Sequence, residues 1–196
     1  MALLDAVTRF VDEFNQEEEN LGMLTLLPDE QLVPENLLSI GQLSTFYARV
    51  VFEELIIGRG FVLDWAPLAQ LPRYQEGWGI VYDADPAGTP DTQYWNADWL
   101  VFGDKNGDAI FTKLADPASP VLGSIQKAEA FHLASSLESF LTILTAGMVM
   151  VREEFQYETK LEDYTPKPEF LARVRELVTQ QEDADTAEQF VNFFFG

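Results

Sequence analysis

The segment from Asp104 to Asp108 carries oxygen-bearing side chains at alternate positions, which is how a calcium-binding loop begins. Such a loop also needs a glycine at its sixth position and a bidentate glutamate at its twelfth. Counted from Asp104, those positions hold Ala109 and Ala115. The flanking stretches WLVFG and AIFTKL are apolar and typical of strands, and the residues between them favour turn conformations. We therefore predict a hairpin turn here and no metal site.

Few residues in this chain are suited to catalysis. Cysteine is absent from all 196 residues, so thiolate nucleophiles, thiolate metal ligands and disulfides are excluded. His132 is the only histidine, which excludes multi-histidine metal sites, and we expect it to have a surface or capping role. Gly58-Arg-Gly60 lacks the third glycine of a dinucleotide fingerprint. Paired carboxylates could hydrolyse glycosides, but nothing in the spacing of 33 acids selects a pair. We therefore expect that the chain is not an enzyme and that it uses no cofactor.

The charge of the chain indicates which partners it can bind. The chain has 33 Asp and Glu against 12 Lys and Arg, a formal net charge of −21. The three successive segments 1–60, 61–130 and 131–196 carry −8, −6 and −7, so the charge belongs to the whole chain and not to a tail. Nucleic acid and anionic membranes are poor partners for it. A basic protein is a good one, because a strong negative field speeds its association, although solubility alone would also explain the charge.

The length and composition favour one globular domain, and we expect this domain to be cytoplasmic. Its 47% hydrophobic content and length suit a single domain over residues 1–196, with about 151–196 as a C-terminal helical extension. The N-terminal residues lack the basic head and apolar run of a secretory signal. The longest apolar stretch, from about Ser139 to Val151, is too short to span a bilayer and is predicted to be a buried helix.

The order of the predicted elements is helices, then strands, then helices. Apolar spacing predicts a first helix from Leu3 to Phe14 and a second from Thr45 to about Ile57, capped by Ser44. Ser135 and Glu138 form a capping box ahead of a long helix. The strands are predicted at 60–65, 77–83, 99–103, 109–114 and near 121, and two short helices at 168–180 and 186–195. This order predicts an α+β fold, a mostly antiparallel sheet flanked by helices from both chain ends.

The segment from Tyr74 to Asp104 is unlike the rest of the chain. It contains no Lys or Arg, yet it holds six acids, three of the four Trp and three of the six Tyr. Aromatic anchors surrounded by acids are typical of a surface that binds a basic protein. Trp78 and Trp99 would face a core, whereas Tyr94 and Trp95, beside a Pro-rich loop, should be exposed. The predicted contact residues are Asp91, Tyr94, Trp95 and Asp98, with Asp83 and Asp85 as steering charges.

Five stretches of this sequence, spread over about residues 43–146, form a recognisable succession: LSTFYARVVFEELIIGRGF, LDWAPLAQL, DWLVFGDKNGDAIFTKL, SPVLG and ASSLESFLTIL. Together they resemble the SUKH superfamily, the group related to the fungal Smi/Knr-type regulators of cell-wall synthesis. Leu43-Ser44 stands where the family more often has Leu-Pro, and Leu137 stands where it more often has Phe. The resemblance implies a SUKH-like sheet and a non-catalytic interaction domain similar to bacterial immunity proteins, which bind and neutralise toxins, many of them nucleases.

Two alternatives remain open from the sequence. A regulatory scaffold or small-molecule-sensing module without a toxin partner would be equally non-catalytic, and a ligand-sized apolar pocket would favour it. The Phe-rich C-terminus, residues 190–195, is expected to form a helix docked on the core, but some of its rings could instead contact a second copy and give a homodimer.

Overall fold

The computed structural model of the chain describes residues 2–33, 41–82 and 88–196. Within these residues there are six α-helices, a six-stranded antiparallel sheet and two small two-stranded sheets. Helices from both ends of the chain flank the large sheet, so the predicted α+β class is confirmed. In the described ranges, no helix combines the length and the apolarity needed to traverse a bilayer.

The helices and strands have the following bounds. The helices are α1 (Leu3–Gln16), α2 (Gln42–Arg49), α3 (Leu71–Tyr74), α4 (Leu137–Glu153), α5 (Pro168–Thr179) and α6 (Ala184–Phe195). The strands are β1 (Thr25–Leu26), β2 (Val50–Val51), β3 (Ile56–Ile57), β4 (Leu63–Trp65), β5 (Ile80–Val81), β6 (Thr89–Pro90), β7 (Trp99–Lys105), β8 (Asp108–Lys113), β9 (Val121–Ser124) and β10 (Phe131–Ala134).

The large sheet is built around the hairpin of β7 and β8, and its strand order is β10-β9-β8-β7-β4-β3. The turn of the hairpin is Asn106-Gly107, whose φ angles of 56° and 91° lie in the left-handed region that two-residue hairpin turns require. Oδ1 of Asp104 accepts a hydrogen bond from the Gly107 amide at 2.9 Å. The predicted hairpin is confirmed. Among the described residues, no group of three or more His, Cys, Asp or Glu side chains could hold a metal ion.

A β-bulge at Phe102 and Gly103 determines which way the end of β7 points. Val101 pairs with Phe111 and Gly103 with Ile110, so Phe102 is an extra residue in β7. Phe102 belongs to the main core, and a side chain at Gly103 would meet Leu63 and Ile110 of that same core. Both residues therefore face the helices. Because side chains alternate again after the bulge, Asp104 points to the opposite face of the sheet.

The sheet separates two hydrophobic cores. Its inner face packs against α1, α4, α5 and α6 in a large core rich in Phe side chains. On its outer face, Trp78 and Trp95 from the described part of the chain between α3 and β7 pack on the sheet. They form a smaller core with Val101, Ala109, Phe111 and Leu122.

The C-terminal Phe side chains are enclosed by the same chain. Phe190, Phe193 and Phe194 of α6 are buried, and Phe195 is half-buried. Phe61 lies at the centre of this group, with ring centroids 5.5 to 6.0 Å from three α6 rings. The two predicted C-terminal helices are confirmed, and α6 docks on the core as expected. A homodimer through this helix stays a prediction, with Phe195 its least buried ring.

The structure corrects several predicted elements. The helix predicted to begin after a Ser44 cap begins earlier, at Gln42, with Gly41 as its N-cap. The predicted helix 45–57 ends at Arg49, because the β-branched and apolar residues that follow pair as β2 with β1 and as β3 with β4. The N-cap of α4 is Ser136 and not Ser135, since Ser136 Oγ accepts from the Ser139 amide at 3.1 Å. His132 lies on β10, a strand that the sequence analysis missed, and its side chain is exposed.

Candidate functional site

An open groove of about 400 Å³ lies on the outer face of the sheet, where β4, β7 and α3 meet. We call it the acidic groove, because three carboxylates and one cation line it. Its lining residues are Asp64, Gln70, Arg73, Tyr74, Glu76, Trp78, Val101 and Asp104.

Asp64 and Asp104 lie directly opposite each other in the groove. They are direct cross-strand partners on β4 and β7, and both point to the outer face because Leu63 and Trp65 on either side of Asp64 are buried in the main core. Burial raises the pKa of the Asp104 carboxyl, and the charges of Asp64 and Asp108 raise it further, against the opposing hydrogen bond from the Gly107 amide. Two like charges are therefore held side by side at a cost in free energy.

Tyr74 and Trp78 form the aromatic wall of the groove. Burial raises the pKa of the Tyr74 hydroxyl, and its interaction with the Asp64 carboxylate raises it further, so Tyr74 stays neutral beside that carboxylate. Trp78 is half-buried and presents part of its ring to the groove. Arg73 is the one cation among the lining residues, and it counteracts part of the pKa shift of Tyr74.

Gln75 joins this wall to the sheet through side-chain hydrogen bonds. Its carboxamide nitrogen donates to the Val101 carbonyl at 2.8 Å and its oxygen accepts from the Val101 amide at 3.0 Å. The same nitrogen donates to the Leu71 carbonyl at 2.8 Å. β4 pairs with β7 only at Gly103 and Asp104, so the Gln75 side chain takes the place of a further strand residue at Val101. This arrangement positions Tyr74 and Trp78 against the carboxylate pair.

Trp95 supports the wall from beneath. Its ring centroid lies 5.2 Å from that of Trp78, 5.1 Å from that of Trp99 and 4.8 Å from that of Phe111. Only 5% of its surface is exposed. The expectation that Trp95 is exposed is therefore wrong, because the loop that carries it folds back over the outer face of the sheet and buries the ring.

Asp91 also has a structural role. It forms an ion pair of 2.5 Å with Lys127 and accepts hydrogen bonds from the Gln93 and Tyr94 amides, each at 3.0 Å. The hydrogen bond from Lys127 is the largest cause of a lowered Asp91 pKa, and the two amides add to it. Only 8% of the Asp91 side chain is exposed. The segment from Tyr74 to Asp104 contains no Lys or Arg, but Lys127, from a later part of the chain, pairs with its Asp91.

Of the remaining predicted contact residues, Tyr94 and Asp98 lie apart from the acidic groove. Tyr94 is 64% exposed, and its hydroxyl accepts from the Gln93 side chain at 2.7 Å. Asp98 is exposed and lines a separate depression beside Trp99. Asp83 and Asp85 lie outside the described residues. The predicted surface therefore supplies exposed groups at Tyr94 and Asp98, while the groove is formed by other residues.

Asp64 is the groove residue that the sequence analysis missed. It precedes the Tyr74–Asp104 segment and joins it only through the pairing of β4 with β7. A signal was present, because Asp64 is the single charge within the apolar stretch FVLDWA. A charged residue between two buried neighbours on a strand must face away from the core.

The groove is suited to a cationic side chain. Two carboxylates can accept hydrogen bonds from a guanidinium or ammonium group, and the ring face of Trp78 can add a cation–π contact. A bound cation would also relieve the repulsion between Asp64 and Asp104. The arrangement resembles the acidic, aromatic pockets in which interfaces hold Lys or Arg anchors.

We expect Asp104→Asn to stabilise the fold by about 0.2 to 1 kcal/mol at neutral pH, the range for a like-charge cross-strand pair. The pKa of Asp104 is raised in the folded state, so the native protein binds this proton more tightly than the unfolded chain. The wild type should therefore regain stability relative to the variant as the pH falls toward the ordinary value of 3.8. Urea denaturation across pH measures this difference. Asp98→Asn is the control for charge removal at an exposed site, and an equal gain from it would contradict the pairwise explanation.

Comparison of the chain with protein-family models, curated proteins and solved structures finds no match.

Proposed function

We propose that the chain is a non-catalytic protein-interaction domain that acts in the cytoplasm and binds a basic protein through the acidic groove. The observation that carries the proposal is the pair Asp64 and Asp104, held together on the outer face beside Tyr74 and Trp78. Such a pair destabilises the free protein, and a cation from a partner would recover that free energy on binding. The groove therefore gives a partner's Lys or Arg a defined place.

The charge of the whole chain supports a basic partner. A net charge of −21 creates a field that attracts a positively charged protein from a distance and accelerates encounter. The aromatic wall of the groove would then supply short-range affinity, since Trp and Tyr dominate the energetics of interfaces. Long-range attraction and local anchoring thus favour the same class of partner.

We further propose that the partner is a toxin of nuclease type and that the chain is an immunity protein that neutralises it. This rests on the resemblance of residues 43–146 to the SUKH superfamily and on the chemistry of nucleases, whose substrate-binding surfaces are basic. An acidic protein can occupy such a surface and exclude nucleic acid from it. No catalytic residue of this chain is needed for that activity.

The test uses three versions of the full chain as bait in the lysate of its own source. They are the wild type, Asp64→Asn with Asp104→Asn, and the control Asp12→Asn with Glu169→Gln. The control removes two exposed charges from α1 and α5, so both variants have the same net charge. Captured proteins are identified by mass spectrometry, and the affinity of the purified partner is then measured by calorimetry at low and high salt.

We expect the wild type and the control to capture the same basic protein, and high salt to release it. The groove variant should bind it about 10- to 100-fold more weakly, the effect of losing one or two charged contacts. Inhibition of nuclease activity by the wild type would support the toxin assignment. Equal affinities of the groove variant and the control would contradict the role of the groove, and a partner without a basic surface would contradict the proposed class.

A further inference from the structure

A second, larger cavity of about 670 Å³ lies away from the acidic groove. It is bounded by the loop 58–60, the tip of the β7–β8 hairpin, the segment 157–166 and the end of α6. Its basic lining residues are Arg59, Lys105 and Lys160, and its aromatic lining residues are Tyr157, Tyr164, Phe194 and Phe195. We call it the basic cavity.

The charge of this cavity is opposite to that of the chain. Three of the twelve basic side chains line it, in a protein whose net charge is −21. Glu158 is the acidic side chain in its lining. Three cations against one acidic side chain around a concave space favour a local positive potential, and low-dielectric walls would concentrate it. An anion is the ligand that such a space favours.

Tyr157 is the residue of the aromatic wall that contacts behind the cavity hold in place. The Tyr157 hydroxyl donates to Glu17 Oε2 at 2.8 Å, and Glu17 is itself buried. The Arg59 guanidinium lies 5.6 Å from the centroid of the Tyr157 ring. Arg59 also contacts Glu19 at 3.4 Å, but both side chains are about half exposed, so this pair is weak and Arg59 can turn to a ligand.

Three residues that line the cavity have a left-handed backbone conformation. Tyr157 and Tyr164 both have φ of 66°, and Asn106 has φ of 56°. Asn adopts this conformation readily in a hairpin turn, but for a bulky Tyr it is strained. Residues held in such conformations are found preferentially at binding and catalytic sites. Here the strained backbone directs two Tyr side chains to one cavity.

We infer that the basic cavity binds a small organic anion that carries a planar ring. Arg59, Lys105 and Lys160 would hold its phosphate or carboxylate, and Tyr157, Tyr164 and Phe195 would contact its ring. The volume lies within the range of pockets that hold ligands of nucleotide size.

This inference does not depend on the proposed function. The β7 bulge sends Asp104 to the acidic groove on the outer face, and the next residue, Lys105, reaches the inner side, where its Nζ lies 5.8 Å from the Phe193 ring centroid. The two sites therefore lie on opposite faces of the sheet. Loss of one by mutation need not affect the other.

The test is a titration of the full chain with adenosine monophosphate and with benzoate, which represent the phosphate and carboxylate forms of the ligand. Adenosine and benzamide are their uncharged counterparts. Binding is followed by nuclear magnetic resonance shifts of the backbone amides, with the affinity tag at the N-terminus because Gly196 lines the cavity. We expect at least one anion to bind about tenfold or more tightly than its uncharged counterpart, with shifts at residues 58–60 and 157–166.

The variant Lys105→Gln with Lys160→Gln should weaken that binding by about tenfold or more. The control Arg9→Gln with Lys113→Gln removes two cations from outside the cavity and should leave binding unchanged. Three results would overturn the inference: no shift with either anion at millimolar concentration, equal binding of the uncharged counterparts, or equal loss in the variant and the control. Gln keeps most of the Lys stem, so both variants should fold, and their thermal unfolding verifies this.

Discussion

Trp95→Ala should destabilise the protein by about 3 to 5 kcal/mol, the usual cost of removing a large aromatic ring from a core. The ring touches Trp78, Trp99 and Phe111 at once, and it belongs to the smaller of the two hydrophobic cores. Its removal would leave a cavity beneath the wall of the acidic groove. Urea denaturation monitored by circular dichroism measures the loss of stability.

Tyr94→Ala is the matched comparison for this substitution. Tyr94 precedes Trp95 directly, but it is 64% exposed, so its replacement should change stability by less than about 0.5 kcal/mol. The pair of variants therefore separates a core residue from a surface residue within one loop. If Trp95→Ala instead folded as stably as the wild type and lost only partner binding, the ring would be a contact residue, as the sequence first indicated.

Arg152→Met is expected to cost about 2 to 4 kcal/mol, somewhat less than the loss of one partner from a fully buried ion pair. Arg152 joins α4 to α1 through Glu17 and through Glu13, the latter at 3.0 Å. Burial opposes the charge of Arg152, but the two carboxylates outweigh it and raise its pKa above the ordinary value. Met keeps the apolar stem and removes the charge, which leaves the buried Glu17 carboxylate without its cation.

Arg173→Met is the control for Arg152→Met. Arg173 also contacts two carboxylates, Glu154 and Glu176, but all three side chains are substantially exposed. Its loss should therefore cost less than about 1 kcal/mol. Thermal and urea unfolding of both variants give the comparison. Equal costs would show that the burial of Glu17 does not determine the strength of the Arg152 network.

The elements with strong periodicity were predicted well from the sequence. The helix beginning at Leu3, the long helix through Met148 and the hairpin at Asn106-Gly107 all depend on local signals, namely apolar spacing and turn residues. The second helix was predicted too long because the apolar residues after Arg49 are spaced in a way that suits either a helix or a strand. Their strand conformation is determined by pairing partners elsewhere in the chain.

The acidic groove could be predicted only in part. The sequence identified the right segment, since Tyr74, Glu76, Trp78 and Asp104 all belong to it. It could not identify Asp64, because the register of β4 against β7 is a long-range property. It also could not show that Lys127 reaches Asp91, or that Trp95 lies beneath the loop and not upon it. Exposure is decided by tertiary packing, which residue types in one loop do not specify.

The bulge in β7 also determines how this chain can change in length. Val101 faces outward, Phe102 and Gly103 both face inward, and Asp104 faces outward again. Removing either Phe102 or Gly103 would therefore restore strict alternation and leave Asp104 on the outer face and Lys105 on the inner side. Removing both would place Asp104 directly after Val101, so Asp104 would turn inward and Lys105 outward, and both sites would be lost together. Relatives of this chain that keep both sites can therefore lack one of these two residues but not both.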